Sequence, residues 1–349
     1  MKAFLVFLPI ILLQASPSFS QQATYKNLVL EGGGVKGFAY AGAFQVLDSL
    51  GVLNSIERVG GSSVGAIQAT LLAIGYKPSE MMEIAGKIPL KEFNDGFIAG
   101  GLSRMNRRFG FYKGERITKW IEQLIAAKTG NAEITFSELH QQKEAKNYKD
   151  LYITGTDLTS RCLRIFSYET YPNMKVKDAL RISFSIPLYF EPLLIDEAGK
   201  VYKDNPKNEY HVMVDGGLLS NYPINMFDVA KYRNADGRNF NEDKQNNETL
   251  GLLLERPEYM GYSDGKNGYS LPISSLSEYM KAVYQTVVDK PNPDMVSLHR
   301  TINISHFGMS GRVRKLPLAI INKLVESGRQ GVRDHFVQVP DVATVTLKK

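Results

Sequence analysis

Three short runs hold residues that could carry acyl-transfer chemistry. Gly32-Gly33-Gly34-Val35-Lys36-Gly37 lies within "EGGGVKGFAYAGAF". Gly61-Ser62-Ser63-Val64-Gly65 has the form G-x-S-x-G, and Asp215-Gly216-Gly217 closes the apolar run "VMV". Glycine loses more conformational freedom on folding than any other residue. Three in succession imply that something approaches the backbone itself: a phosphate, a dinucleotide, or the oxyanion of an acyl-transfer intermediate.

The first run also fits the G-x-G-x-x-G spacing of a dinucleotide fingerprint. That reading requires an acidic residue at the end of the next strand, about 20 residues on. Glu57 stands at the start of that strand, which runs instead into the second glycine-serine turn. In a strand–turn–helix context a G-x-S-x-G bend displays its serine, here Ser63, and needs small flanking residues, here Gly61 and Gly65. The N–H groups and positive end of the following helix then face developing negative charge. Ser62 occupies the variable position.

Such a serine needs a base. His140, His211, His299, His306 and His335 are the only histidines, and none falls in a glycine-rich turn after a clear strand. Asp215 does end an apolar strand, where sites gather in α/β sheets. A free aspartate, with a pKa of about 3.9, is a weak base. Burial disfavours its charged form and raises that value, which improves proton acceptance from a serine within reach. Taken alone, Asp-Gly-Gly reads better as an ordinary turn with no chemistry.

The elements that must position these runs alternate. "YKNLVL", "SIERVGG", "DLYITGTDL", "RCLRIFSYE", "HVMVDGG" and "ETLGLLLE" read as strands. Val35 to Leu50, "VGAIQATLLAIG" and "RITKWIEQLIAAKTG" read as helices, the last with apolar residues at helical spacing and a stop at Gly130. This order predicts an α/β fold with a mostly parallel central sheet covered by helices on both faces. One domain spanning 21–349 is expected, with a core over about 26–255 and a C-terminal helical part over about 275–349. The segment 234–248 and the stretch "YMGYSDGKNGYSLP" are expected as loops, and "ATVTL" as a last strand.

Residues 1–20 have a lysine, an apolar stretch from Ala3 to Leu13 and small residues before Gln21, the layout of a secretory signal peptide. Export to the periplasm or beyond is therefore expected. Cys162 is the single cysteine, so stability must come from packing. The net charge of +6 permits attraction to an anionic membrane without arguing for nucleic acid. No H-E-x-x-H run, cysteine cluster or calcium loop suggests a metal.

The three runs, in this order, resemble the patatin-like phospholipase family, together with "FAYAGAFQVLDSLGV", "ITFSELH" and "DALRISFSIPLYFEPL". The resemblance covers the chain up to about Leu252. It implies a three-layer patatin-like fold and a serine–aspartate dyad that hydrolyses acyl esters of lipids without a cofactor. By position it makes Ser63 the nucleophile and Asp215 the proton acceptor. The amides of Gly33, Gly34 and Val64 would form the oxyanion hole, with Gly32, Gly37, Gly216 and Gly217 as motif glycines. Glu31, Lys36 and Gly217 stand where aspartate, arginine and alanine are common in the family. Lys36 would stabilise the loop or meet an anionic head group. The implied partner is a phospholipid or other acyl lipid. A catalytically silent lipid-binding protein on the same scaffold and a generic carboxylesterase are the alternatives. The basic and aromatic segment Phe93 to Arg116 is read either as a flap resting on anionic lipid or as a loop with its aromatics packed inward.

Overall fold

The computed structural model describes residues 25–96, 98–204, 209–234, 237–241, 244–255, 273–274, 276–288, 298–309, 311 and 315–338. The expected signal segment, the loop at 259–272 and the strand at 343–347 lie outside the described residues.

The chain opens with β1 (Asn27–Leu30), a 3-10 turn (Gly34–Gly37), α1 (Phe38–Ser49), α2 (Val52–Ser55), β2 (Arg58–Gly61) and α3 (Val64–Ala73). It continues through α4 (Pro78–Lys87), α5 (Ile98–Arg108), β3 (Gly110–Tyr112), α6 (Glu115–Thr129), α7 (Phe136–Gln141) and α8 (Lys143–Lys146). Next come β4 (Asp150–Asp157), β5 (Cys162–Phe166), α9 (Val176–Ser183), β6 (Leu188–Phe190), β7 (Leu193–Ile195) and β8 (Val201–Tyr202). The last elements are β9 (His211–Asp215), α10 (Gly217–Ser220), β10 (Thr249–Glu255), α11 (Leu276–Val288), β11 (Thr301–Ser305) and α12 (Leu318–Gln338).

Among the described residues the main sheet runs β11-β10-β1-β2-β4-β9-β7-β8, with β5 also paired to β4. The fold is the expected α/β arrangement with helices on both faces. Its first five strands are parallel, whereas β5, β9, β7 and β8 form an antiparallel wing. Side chains alternate across a strand. Leu28 and Leu30 accordingly enter the large core, and Val29 between them meets Tyr152, Tyr222 and Phe227 on the other face.

The wing's direction matters for the site. Gly61 at the end of β2 pairs with Ile153, and β4 continues beyond it to Asp157. β9 enters from the opposite direction and places Asp215 against Gly155, two residues past that level. An antiparallel strand thus brings its C-terminal carboxylate to the ends of the parallel strands.

The C-terminal part does more than add helices. β11 extends the sheet in parallel beside β10. α12 crosses α1 backbone to backbone: a methyl group at Gly42 would lie 1.8 Å from the Val325 carbonyl oxygen, and one at Gly328 would lie 1.9 Å from that of Ala39.

Candidate active site

Ser63 sits between β2 and α3 with φ 52° and ψ −122°. Holding a non-glycine residue there costs about 1–3 kcal/mol and requires surroundings that enforce it. The Gly65 N–H donates to Ser62 O at 2.8 Å, and the Ile67 N–H donates to Ser63 O at 3.1 Å. The N–H of Ser63 itself donates to Ser183 Oγ at 2.9 Å. Methyl groups at Gly61 and Gly65 would lie 2.7 and 2.4 Å from the Leu30 carbonyl oxygen, so the turn rests directly on β1.

The glycine loop faces this turn. The Gly32 N–H donates to Asn221 O at 3.0 Å, Val35 N–H to Gly311 O at 3.3 Å and Lys36 N–H to Gly33 O at 3.1 Å. The N–H groups of Gly33, Gly34 and Val64, the first residue of α3, have no acceptor among the described residues. Gly34 has φ +55°, and an added methyl would stand 1.8 Å from the Gly311 carbonyl oxygen. One on Gly37 would lie 2.7 Å from the Val64 side chain, which brings the two helix starts together. Lys36 is buried, its stem against the loop.

Asp215 is fully buried. Its N–H donates to Ser185 O at 2.9 Å, and its Oδ1 accepts from the Gly217 N–H at 2.8 Å. Among the described residues Oδ2 has no hydrogen-bond partner. The hydroxyls of Ser63 and Tyr284 stand beside the carboxylate. Burial pushes the Asp215 carboxyl up to about 6, and the Gly217 N–H and the Tyr284 and Ser63 hydroxyls oppose that rise. Gly216 is confined by Thr154, whose Oγ1 would lie 2.2 Å from an added methyl, and Gly217 lies beside Asn221 and Tyr284.

Every sequence-predicted site residue therefore falls in one neighbourhood. Five residues given no role from the sequence also belong to it. Asn221 donates to Glu31 Oε1 and to Gly32 O, both at 3.0 Å, and fastens the glycine loop to the segment after Asp215. Ser183 and Ser185, at the end of α9, hold the backbones of Ser63 and Asp215. Buried Arg181 donates to Lys113 O at 2.6 Å and Glu191 O at 2.7 Å, which fixes α9; burial lowers its pKa to about 10. Tyr284 arrives from α11. The first four lie within "DALRISFSIPLYFEPL" or a few residues after Asp215-Gly216-Gly217, as sequence without a readable role; Tyr284 had no motif around it.

Glycine loop, Ser63 and Asp215 all line one cavity. Its far wall is apolar: Ile67 and Leu71 of α3, Met81 and Ile84 of α4, and Ile117 and Trp120 of α6. No histidine lines it among the described residues. His140 pairs with Asp150, and His211 pairs with Asp157 and Glu197. The arrangement offers a hydroxyl, a carboxylate of raised basicity, uncommitted amides and a slot for a hydrocarbon chain.

Comparison with known proteins agrees with this inventory. The family described as patatin-like phospholipase matches residues 28–228. An uncharacterized protein of Acanthamoeba polyphaga mimivirus is 29% identical over 298 residues, covering 83% of this chain and 91% of its own length. A protein named probable lipid hydrolase, from invertebrate iridescent virus 6, is 31% identical over 219 residues, covering 61% of this chain and 66% of its own. The crystal structure of VipD from Legionella pneumophila superposes with a TM-score of 0.55 at 17% identity, over 90% of this chain and 67% of that one, and shares the fold. With more than half of its length matched and the three motifs gathered at one cavity, the chain belongs to the patatin-like phospholipase family of lipid hydrolases.

Proposed function

We propose that the chain hydrolyses acyl esters of phospholipids or related lipids through a Ser63–Asp215 dyad and an acyl-enzyme intermediate. The observation that carries this is the placement of Ser63, at a strained φ of 52°, beside a buried carboxyl pushed to about 6 in an apolar cavity. At that value Asp215 is largely ionised at neutral pH yet more basic than a free aspartate.

In the first half-reaction Asp215 accepts the Ser63 proton as Oγ attacks the ester carbonyl carbon. The carbonyl oxygen becomes an oxyanion facing the N–H groups of Gly33, Gly34 and Val64. The tetrahedral intermediate collapses, the C–O bond to the alcohol breaks, and the leaving oxygen takes the proton from Asp215. Water then gives a proton to Asp215 and attacks the acyl-enzyme, releasing the fatty acid and restoring Ser63. The apolar wall supports this reading because it can hold the acyl chain while the ester meets the polar end.

Product analysis on defined phospholipids, wild type beside Ser63→Ala, tests the reading. Free fatty acid should appear only with the wild type, together with Ser63-dependent labelling by a fluorophosphonate. Absence of labelling would leave a silent lipid-binding protein. Rapid turnover of short soluble esters with none of phospholipid vesicles would leave a generic carboxylesterase. Export is proposed on the character of residues 1–20, with a processed N-terminus at Gln21 as its test.

A further inference from the structure

The geometry points to the β3–β6 ribbon as a docking surface for an anionic lipid layer, with Phe109 and Leu188 as its inserting side chains. These two strands pair in parallel with Gly110 opposite Leu188 and Tyr112 opposite Phe190. Phe109 therefore stands next to Leu188 at the same end of the ribbon. Both are exposed, at 56% and 40%, and both hold positive φ, 60° and 65°. A bulky residue in that region is an outlier that persists only where its surroundings impose it.

The surroundings do so. The Glu191 N–H donates to Tyr112 O at 2.9 Å, and Arg104 donates to Phe111 O at 2.9 Å. Phe93 is buried against Trp120, and Tyr112 packs edge-on against Tyr189, so part of this aromatic segment does belong to the core. Phe109 does not. It is presented on a fixed ribbon, with the chain strained to keep it and Leu188 outward.

Charge and position select the occupant. Arg107, two positions before Phe109, is exposed and makes no ion pair among the described residues, as does Arg116 beyond the other end of β3; Arg108 is tied to Asp204 and Glu191. An apolar tip with the exposed Arg107 two positions before it suits an anionic lipid surface, where the tip enters the acyl boundary and the cation meets head groups. The same ribbon's Phe190 lines the active-site cavity. Docking by this edge would therefore set the cavity wall against the lipid supply. The choice of a lipid layer as partner rests on the hydrolase reading above.

The test uses the Ser63→Ala protein, so that binding is measured without turnover. It should sediment with vesicles of equal parts phosphatidylcholine and phosphatidylglycerol and much less with phosphatidylcholine alone. Phe109→Gly in that background should bind about tenfold more weakly. Its melting temperature should hold or rise, because glycine adopts φ 60° freely. Leu188→Ser should weaken binding similarly, and Arg107→Glu with Arg116→Glu should abolish the preference for anionic vesicles. The proposal is overturned if Phe109→Gly binds as well as its parent, or if binding ignores lipid charge. A dimer in solution that Phe109→Gly dissociates, with vesicle binding unchanged, would also overturn it by assigning the patch to a second copy. Vesicle binding as expected from a wild type that releases no fatty acid would support the surface and refute the hydrolase reading alone.

Discussion

The N–H of Ser63 donates to Ser183 Oγ at 2.9 Å across 120 positions of chain. Two residues further on, Ser185 O accepts the Asp215 N–H at the same distance. One short turn at the end of α9 thus grips the backbones of both proposed dyad members. Ser183 is fully buried, so Ser183→Ala strands a buried donor, which costs about 1–3 kcal/mol. The strained Ser63 turn should relax, and kcat should fall by about 10- to 100-fold with a smaller change in KM. Steady-state kinetics beside thermal melting check this; unchanged kcat in a destabilised protein would mean that the contact serves the fold alone.

Tyr284 should tune the base. Burial raises the Asp215 carboxyl to about 6, and the Tyr284 hydroxyl is one of the groups opposing that rise. The acid limb of kcat/KM should therefore have its midpoint near pH 6, with activity increasing as pH rises through it. Removing the hydroxyl in Tyr284→Phe leaves burial less opposed, so the midpoint should move to higher pH by about half a unit to one unit. A pH–rate profile for each protein on one soluble ester decides it, since a purely structural tyrosine would lower the plateau without moving the limb.

How far the sequence disclosed this site follows from what each residue needs. The glycines at 34, 61 and 65 were legible because their backbones touch other backbones or take a positive φ, and such demands leave a residue type behind. Gly130 likewise marks the end of α6 in a left-handed conformation. Strand direction leaves no such mark: "HVMVD" reads the same parallel or antiparallel, so the wing and its overshoot at Gly155 emerged only in three dimensions. The helix that begins at Pro78, α4, was not read from the sequence, yet it helps wall the cavity. Ser183 and Tyr284 act through space on residues far away in the chain, and neither periodicity nor composition encodes that.

The glycine loop gives a sharper test of the oxyanion assignment. Gly34→Ala faces both a positive φ and the Gly311 carbonyl oxygen, 1.8 Å from the new methyl. The loop must shift, and with it the N–H groups of Gly33 and Gly34. Loss of one oxyanion donor costs about 100- to 1000-fold in rate, and a comparable fall in kcat is expected here. Fluorophosphonate labelling should slow in parallel, because attack of Ser63 Oγ on the phosphorus, with fluoride leaving, builds negative charge on the phosphoryl oxygen at the same place. Intact labelling with lost ester turnover would place the loop's role elsewhere, in binding the substrate.

Asp215 also predicts a stability profile opposite to that of an ordinary salt-bridged aspartate. Its carboxyl lies near 6 when folded against 3.8 as a free side chain, so the native state holds its proton more tightly than the unfolded one. The resulting stabilisation is complete below the unfolded value and is lost as pH rises through the folded value. Above it, the native fold carries a buried charge at a cost of about 3 kcal/mol. Asp215→Asn never acquires that charge. The variant should be inactive yet more stable than wild type at about pH 8, by up to about 3 kcal/mol, with the difference shrinking toward pH 4. Urea unfolding of both proteins across that range measures it. A gap that is constant with pH would mean that the Asp215 carboxyl titrates normally, and the proposed general base would lose its physical ground.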